Sequence, residues 1–319
     1  MGYPVPKNYM DEGGDRWTIG AGGELVINGA VTGALPSQSY FVDTVNGLDT
    51  NDGKSWATAF KTMAAALTAV ATNGRIYFRG DVREELTGSN LKFDVTIIGC
   101  GNRPHHPDLP SAGANPGAAC WRPPASPTTA TPLLKVRGRG WRFINIMFDC
   151  PVDAAAVKLE RNALSDAAEF DASHAEFIGC RFDSGLIGIE NNGGCGFVMV
   201  EGCRFMRLTE TGGAGIKCTG TAVAAPLNWD IHDCIFMNNA SHILSSMSYS
   251  NLYRNQFGRF TATLSVDLYN QPSAGQGEYN IITENYLSGT YNAATYPAGS
   301  NNEWAGNQNV AGQTTVDPA

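Results

Sequence analysis

From Trp141 onward one short phrase of alternating apolar and polar positions keeps returning. Phe143-Ile144-Asn145-Ile146-Met147-Phe148 is answered by Phe177-Ile178-Gly179-Cys180-Arg181-Phe182, then by Val200-Glu201-Gly202-Cys203-Arg204-Phe205 and Ile231-His232-Asp233-Cys234-Ile235-Phe236. Looser copies run over Leu252-Tyr253-Arg254-Asn255-Gln256-Phe257 and Ile282-Thr283-Glu284-Asn285-Tyr286-Leu287. Their last positions fall 34, 23, 31, 21 and 30 residues apart. A fixed local phrase at a variable period is the mark of a β-solenoid, in which strands keep register while loops swell. Most copies are followed by a second strand: Val157-Lys158-Leu159, Ile187-Gly188-Ile189, Ile216-Lys217-Cys218, Ile243-Leu244 and Leu264-Ser265-Val266.

A single coil cannot bury its own inner face, so neighbouring coils stack. The alternation sends Phe148, Phe182, Phe205, Phe236 and Phe257 inward as one stack, closed by Leu287. Ile146, Cys180, Cys203, Cys234, Asn255 and Asn285 form the column beside it. The cysteines there read as buried thiols. A disulfide between rungs about 4.8 Å apart stays sterically open. The two asparagines read as turn residues whose amides bond to backbone and to each other.

Upstream, Tyr40-Phe41-Val42-Asp43 reads as a strand and Asn46–Gly53 as a polar loop. Trp56, Phe60, Met63, Leu67 and Val70 fall on one side of a helix predicted over Trp56–Val70, a cap for the open end of the solenoid. Arg75-Ile76-Tyr77-Phe78 and Val95–Cys100 read as strands, and the Pro-, Ala- and Gly-rich stretch 102–132 as a bulging loop. Residues 1–36 stand apart as an arm with two strand candidates, Trp17-Thr18-Ile19 and Glu24-Leu25-Val26-Ile27. It is too small to bury a core, so it packs on the main body or on another protein. The expected organisation is an arm over 1–36, a capped body over 37–290 and an Asn/Gly/Thr-rich tail over 291–319. The tail is either disordered or laid along its own coil or a neighbouring subunit.

Composition narrows the chemistry. Only 16% of residues are charged and the net charge is −8, which argues against a nucleic-acid partner. No run of eighteen apolar residues spans a membrane. Neither CxxC nor HExxH occurs, and no metal or cofactor is expected. Met1–Lys7 lacks the basic segment and apolar core of a secretory signal, so synthesis in a cytoplasm is expected.

Tyr40–Asp43, Asn46–Gly53, Ser55-Trp56, Ala59–Thr62 and Ile76-Tyr77-Phe78 together resemble the opening of pectin-lyase-like proteins. The resemblance implies an all-β, right-handed parallel β-helix with an N-terminal capping helix, and covers roughly residues 40–290. The arm, through Gly14–Gly20 and Gly23–Ile27 with Gly33, is similar to the openings of phage head-decoration and head-fibre proteins. That resemblance implies a non-enzymatic virion component on the outer surface of a capsid. Trp17, Ile19, Leu25 and Ile27 would be its attachment residues, a major capsid protein its partner, a homotrimer its assembly and a host surface glycan a further contact.

The alternative is a β-helix protein of tailspike type that degrades or binds a polysaccharide. Arg181 and Arg204 share one repeat position and would present a guanidinium pair to a sugar acid. Asp183 and Glu201 are the best carboxylate pair for hydrolysis. The other acids considered, Asp149, Asp153, Asp166, Asp171, Glu190, Asp230 and Asp233, read as scattered surface or turn residues. The Asn-Thr-Asp and Asp-Asp segments of polygalacturonases are absent. Trp141 and Trp229 would serve as sugar platforms only if they face outward. The loop of Asp43, Asn46, Asp49, Asn51 and Asp52 has oxygen chemistry suited to Ca²⁺ without EF-hand spacing, and reads as a cap turn.

Overall fold

A computed structural model describes residues 38–88, 91–101, 119–161, 171–219, 226–245, 247–258, 279–287 and 301–309, with four two-residue strands upstream. The body is a parallel β-helix of three sheets. The first sheet opens on Ser39–Asp43, Arg75–Val82 and Thr96–Gly99 and continues through Arg142–Ile144, Glu176–Ile178, Met199–Glu201, Asp230–His232 and the later copies. The second runs from Gly80–Val82 through Ala119–Trp121, Met147–Asp149, Arg181–Asp183, Arg204–Met206, Ile235–Met237 and Gln256–Gly258. The third stacks Leu134–Val136, Ala155–Glu160, Ile187–Asn192, Ala214–Thr219 and Ser241–Ser245.

The repeated phrase is the corner between the first two sheets. Its third residue takes a positive φ in every copy: Asn145, Gly179, Gly202, Asp233, Arg254 and Glu284. That one left-handed residue turns the chain, and its side chain leaves the coil; a Cβ at Gly179 or Gly202 would meet nothing within 4 Å. The fourth residue points inward and covers a carbonyl of the coil before. Cys203 Sγ and Cys234 Sγ each lie 3.3 Å from the carbonyls of Phe177 and Val200. The amides of Asn255 and Asn285 donate to Ile231 O (2.8 Å) and Leu252 O (2.9 Å) in the same place. Asn255 Nδ2 also donates to Asn285 Oδ1 (3.1 Å), and Asn285 Nδ2 to Asn307 Oδ1 (3.0 Å). Glu303–Ala305 and Gln308–Asn309 thus add a coil beyond the last repeat legible in the sequence.

The aromatic stack is in place, with ring centroids 4.6 to 5.0 Å apart from Phe148 to Phe257. Each such ring is fully buried, which stabilises the fold by about 2 kcal/mol. The stack begins one coil earlier than the sequence reveals. Trp121, within the stretch expected to be a loop, lies in register with Phe148 at 6.1 Å. Ala119–Trp121 is therefore a strand, while residues 102–118 of that stretch lie outside the described residues. Trp141 and Trp229 are completely buried, their indole N–H groups donating to Lys92 O (2.6 Å) and Cys195 O (3.0 Å). They are core residues and offer no platform. All eight cysteines are free thiols.

The predicted continuous helix is broken. Trp56–Thr58 is a short 3-10 turn, Phe60 is extended against Phe41 and Val42, and the α-helix is Met63–Ala69. Asp49 explains the break, since its Oδ1 accepts from the amides of Lys61 and Thr62, both at 2.9 Å. Thr62 then N-caps the helix. Glu84 closes its first turn by accepting from Met63 N (2.7 Å) and Ala64 N (2.9 Å). Asp43 and Asp52 likewise accept from backbone amides of Val45, Asn46 and Lys54, so the acidic loop's oxygens build turns. In the arm, Tyr9–Met10 pairs antiparallel with Trp17–Thr18, and Val26–Ile27 with Ala30–Val31. Trp17 and Ile27 thus lie on short strands; Ile19 and Leu25 lie outside the described residues.

Candidate active site

On the second sheet the residues flanking each buried ring point outward. Those before the rings form the column Asp81, Cys120, Met147, Arg181 and Arg204. Those after them align Arg122, Asp149, Asp183 and Met206, because Trp121, Phe148, Phe182 and Phe205 are in register. Five coils thereby bring three carboxyl groups and several guanidinium groups onto one outer face.

Most of these charges neutralise one another. Arg83 Nε lies 2.9 Å from Asp81 Oδ2, and Arg122 Nε 3.0 Å from Asp81 Oδ1. Arg122 Nε also donates to Cys120 Sγ (3.2 Å). Asp183 receives two guanidinium groups: Arg181 at Oδ2, its Nε at 2.9 Å, and Arg207 Nε at Oδ1, 2.8 Å away. Asp149 differs from its neighbours. Among the described residues its side chain makes neither hydrogen bond nor ion pair, and burial pushes its pKa upward. Arg122 opposes that shift, while the charges of Asp183 and Asp81 reinforce it. A half-buried acid inclined to hold its proton thus stands beside a carboxylate held by two cations.

The residues singled out in the sequence fare unequally. Arg181 and Arg204 do share one register position. Arg181, however, is only 3% exposed and faces Asp183, so it is no open sugar-acid receptor. Asp183 and Glu201 are not brought together: Asp183 pairs with Met206 on the second sheet, and Glu201 lies between Ile178 and His232 on the first. Asp153 accepts from Ala130 N (2.7 Å), Glu190 lies 3.4 Å from Lys158 Nζ, and Asp233 holds His232 Nδ1 and Arg254, each at 2.8 Å. Asp230 stands in the first sheet's outer column between Met199 and Asn251, and Asp166 is outside the described residues. Strand register instead brings together Asp149, Arg122 and Asp183, of which Arg122 carries no sequence signal of its own. No set of three His, Cys, Asp or Glu among the described residues is placed to hold a metal ion.

No protein-family profile matches this sequence, and a search of curated proteins gives no match. Solved structures do match. A XylC–xylose complex superposes with a TM-score of 0.50 at 11% identity, over 85% of this chain and 67% of that one. Pectate lyase Pel9A gives 0.49 at 14% identity, over 85% and 67%. A pectin methylesterase in complex with a hexasaccharide gives 0.45 at 12% identity, over 87% and 91%. The chain is thus an all-β, right-handed parallel β-helix of pectin-lyase-like fold with an N-terminal helical element.

These matches correct the reading drawn from the arm. These three structures are described as a xylose complex, a pectate lyase and a pectin methylesterase, and none of the three as a head-fibre or capsid protein. The non-enzymatic virion role finds no support in them, and neither do the capsid partner, the trimer and the capsid-surface location that depended on it. The arm's resemblance rested on some twenty residues rich in Gly, which many unrelated turns share. Such distant likeness establishes fold, and activity has to be argued from the site.

Proposed function

We propose that this chain acts on a polysaccharide laid against the outer face of its second sheet, with Asp149 as the proton-transferring acid. The supporting observation is the contrast between two carboxyl groups in register on adjacent coils, Asp149 without a partner and Asp183 held by Arg181 and Arg207. A carboxyl group that keeps its proton can deliver it to the oxygen of a departing sugar or ester, and its conjugate base can activate water. Arg207, 58% exposed, is placed to hydrogen-bond substrate oxygens and to stabilise negative charge that develops on them.

The test is incubation of the purified protein with neutral and acidic polysaccharides, scoring new reducing ends, unsaturated products and released methanol or acetate. The proposal expects at least one product from the wild-type chain and none from Asp149→Asn. Turnover that survives this substitution would remove Asp149 from the chemistry.

A further inference from the structure

At the edge where the third sheet passes into the first, His174, Phe197, Asn228, Tyr249 and Tyr279 all have φ between 55° and 61°. They stand one above another on successive coils. The amides of His174, Phe197 and Asn228 donate to Gly196 O (3.0 Å), Leu227 O (2.9 Å) and Ser248 O (3.1 Å), each the carbonyl just before the next station. A left-handed residue is ordinarily Gly or Asn, as at Asn228 and at Gly140 on the same edge. Aromatic residues are disfavoured there, and these are largely exposed: Phe197 and Tyr249 are 56% exposed and Tyr279 47%. Exposed rings on a strained backbone point to use in binding.

The rings form an interrupted ladder. His174 stacks on Phe197 at 4.9 Å and Tyr249 on Tyr279 at 5.0 Å, with interplanar angles of 12° and 9°. These separations match the coil spacing of about 4.8 Å, so the ring faces look along the coil axis. Phe197 and Tyr249 are two coils apart, roughly 9.6 Å by that spacing, and only Asn228 stands between them. The gap has the thickness of one further ring.

We propose that this gap receives one pyranose ring of a neutral glycan, sandwiched between Phe197 and Tyr249, with the Asn228 amide bonding its hydroxyl groups. The C–H faces of a pyranose suit two aromatic faces, and the three stations at the gap carry no charge to select or repel an ionised sugar. Further along the same edge a cleft of about 590 Å³ opens at Gly140, lined by Phe93, Asp94, Arg139, Asp171 and His174. Its mixed acceptors and donors suit hydroxyl groups of the same chain. This inference rests on the reading that the ligand is a polysaccharide, and it supplies a docking edge distinct from the Asp149 face.

The test is calorimetric titration of the full chain with xylohexaose, cellohexaose and hexagalacturonate. Binding of a neutral hexaose is expected, weakened at least tenfold in Phe197→Ala and Tyr249→Ala, and abolished in Asn228→Phe, where a ring fills the gap. Circular dichroism establishes that each variant is folded. Titration reads docking and the product assay reads turnover, so loss of docking in the edge variants and loss of turnover in the proposed acid's variant are distinguished. Wild-type affinity in folded Asn228→Phe, preference for hexagalacturonate, or no binding of either neutral hexaose at millimolar concentration would each overturn the inference. Dimerisation of the wild type that Asn228→Phe abolishes would assign the gap to a second copy instead and overturn it equally.

Discussion

Asp183 sits opposite Asp149 on the adjacent coil, yet only Asp183 is ion-paired, held by Arg181 on its own strand and by Arg207 beyond it. Both Arg181 and Asp183 are almost wholly buried, so the pair is part of the fold as well as of the site. Replacing Asp183 with Asn removes the carboxylate that a buried guanidinium faces, and should cost about 3 kcal/mol. Chemical denaturation of Asp183→Asn checks this. An unchanged midpoint would show that the pair contributes little.

Gly215 leaves room for the Phe205–Phe236 stack, whose centroids are 4.6 Å apart. A Cβ there would approach Phe236 Cδ1 to 2.9 Å and His242 O to 2.7 Å. Gly215→Ala should therefore destabilise the protein by about 2 kcal/mol, although alanine ordinarily favours folding over glycine. Thermal melting of this one variant decides the sign.

His242 lies wholly buried against Phe236 and Phe257, and burial pushes its pKa down to about 3 from 6.5. Between those values the unfolded chain binds a proton that the folded chain refuses, so stability falls as pH drops from about 6.5 toward 3 and is unaffected above that window. His242 should steepen the acid side of the stability profile by about 1.4 kcal/mol per pH unit. His242→Leu should flatten it by that amount, whatever its effect at pH 8. Identical slopes would mean that His242 titrates normally.

The strained aromatic edge makes an unusual stability prediction. Phe197→Asn places at φ 55° a residue that tolerates this conformation, as Asn228 does on the next coil. Relief of the left-handed strain, about 1 kcal/mol, should balance or exceed the lost stacking on His174. A melting temperature held or raised is the expected result; a loss of about 2 kcal/mol would mark Phe197 as a packing residue.

The coil itself was largely legible because its inner columns repeat like residues: Phe148 to Phe257, then cysteine giving way to asparagine. Trp121 carries no such signal, because proline-rich sequence surrounds it and a single strand has no periodicity. The break before Met63 was illegible for another reason, since the Asp49 carboxylate that causes it lies twelve residues upstream of Lys61. The outer columns gather unlike residues. Arg122, Asp149 and Asp183 leave no repeat to find, although each directly follows an inward aromatic residue and register alone would have aligned them. The left-handed edge leaves still less trace, because His, Phe, Asn and Tyr share no pattern and the loops leading to them differ in length.

The pH profile of polysaccharide turnover in wild type and Asp149→Asn tests the role of Asp149 most directly. A reaction that needs the protonated acid should persist above the ordinary carboxylate range and fall as pH rises through the elevated pKa of Asp149. Folded Asp149→Asn should show no activity at any pH. A substitution that left both the rate and the profile unchanged would contradict the assignment of this face as the active site.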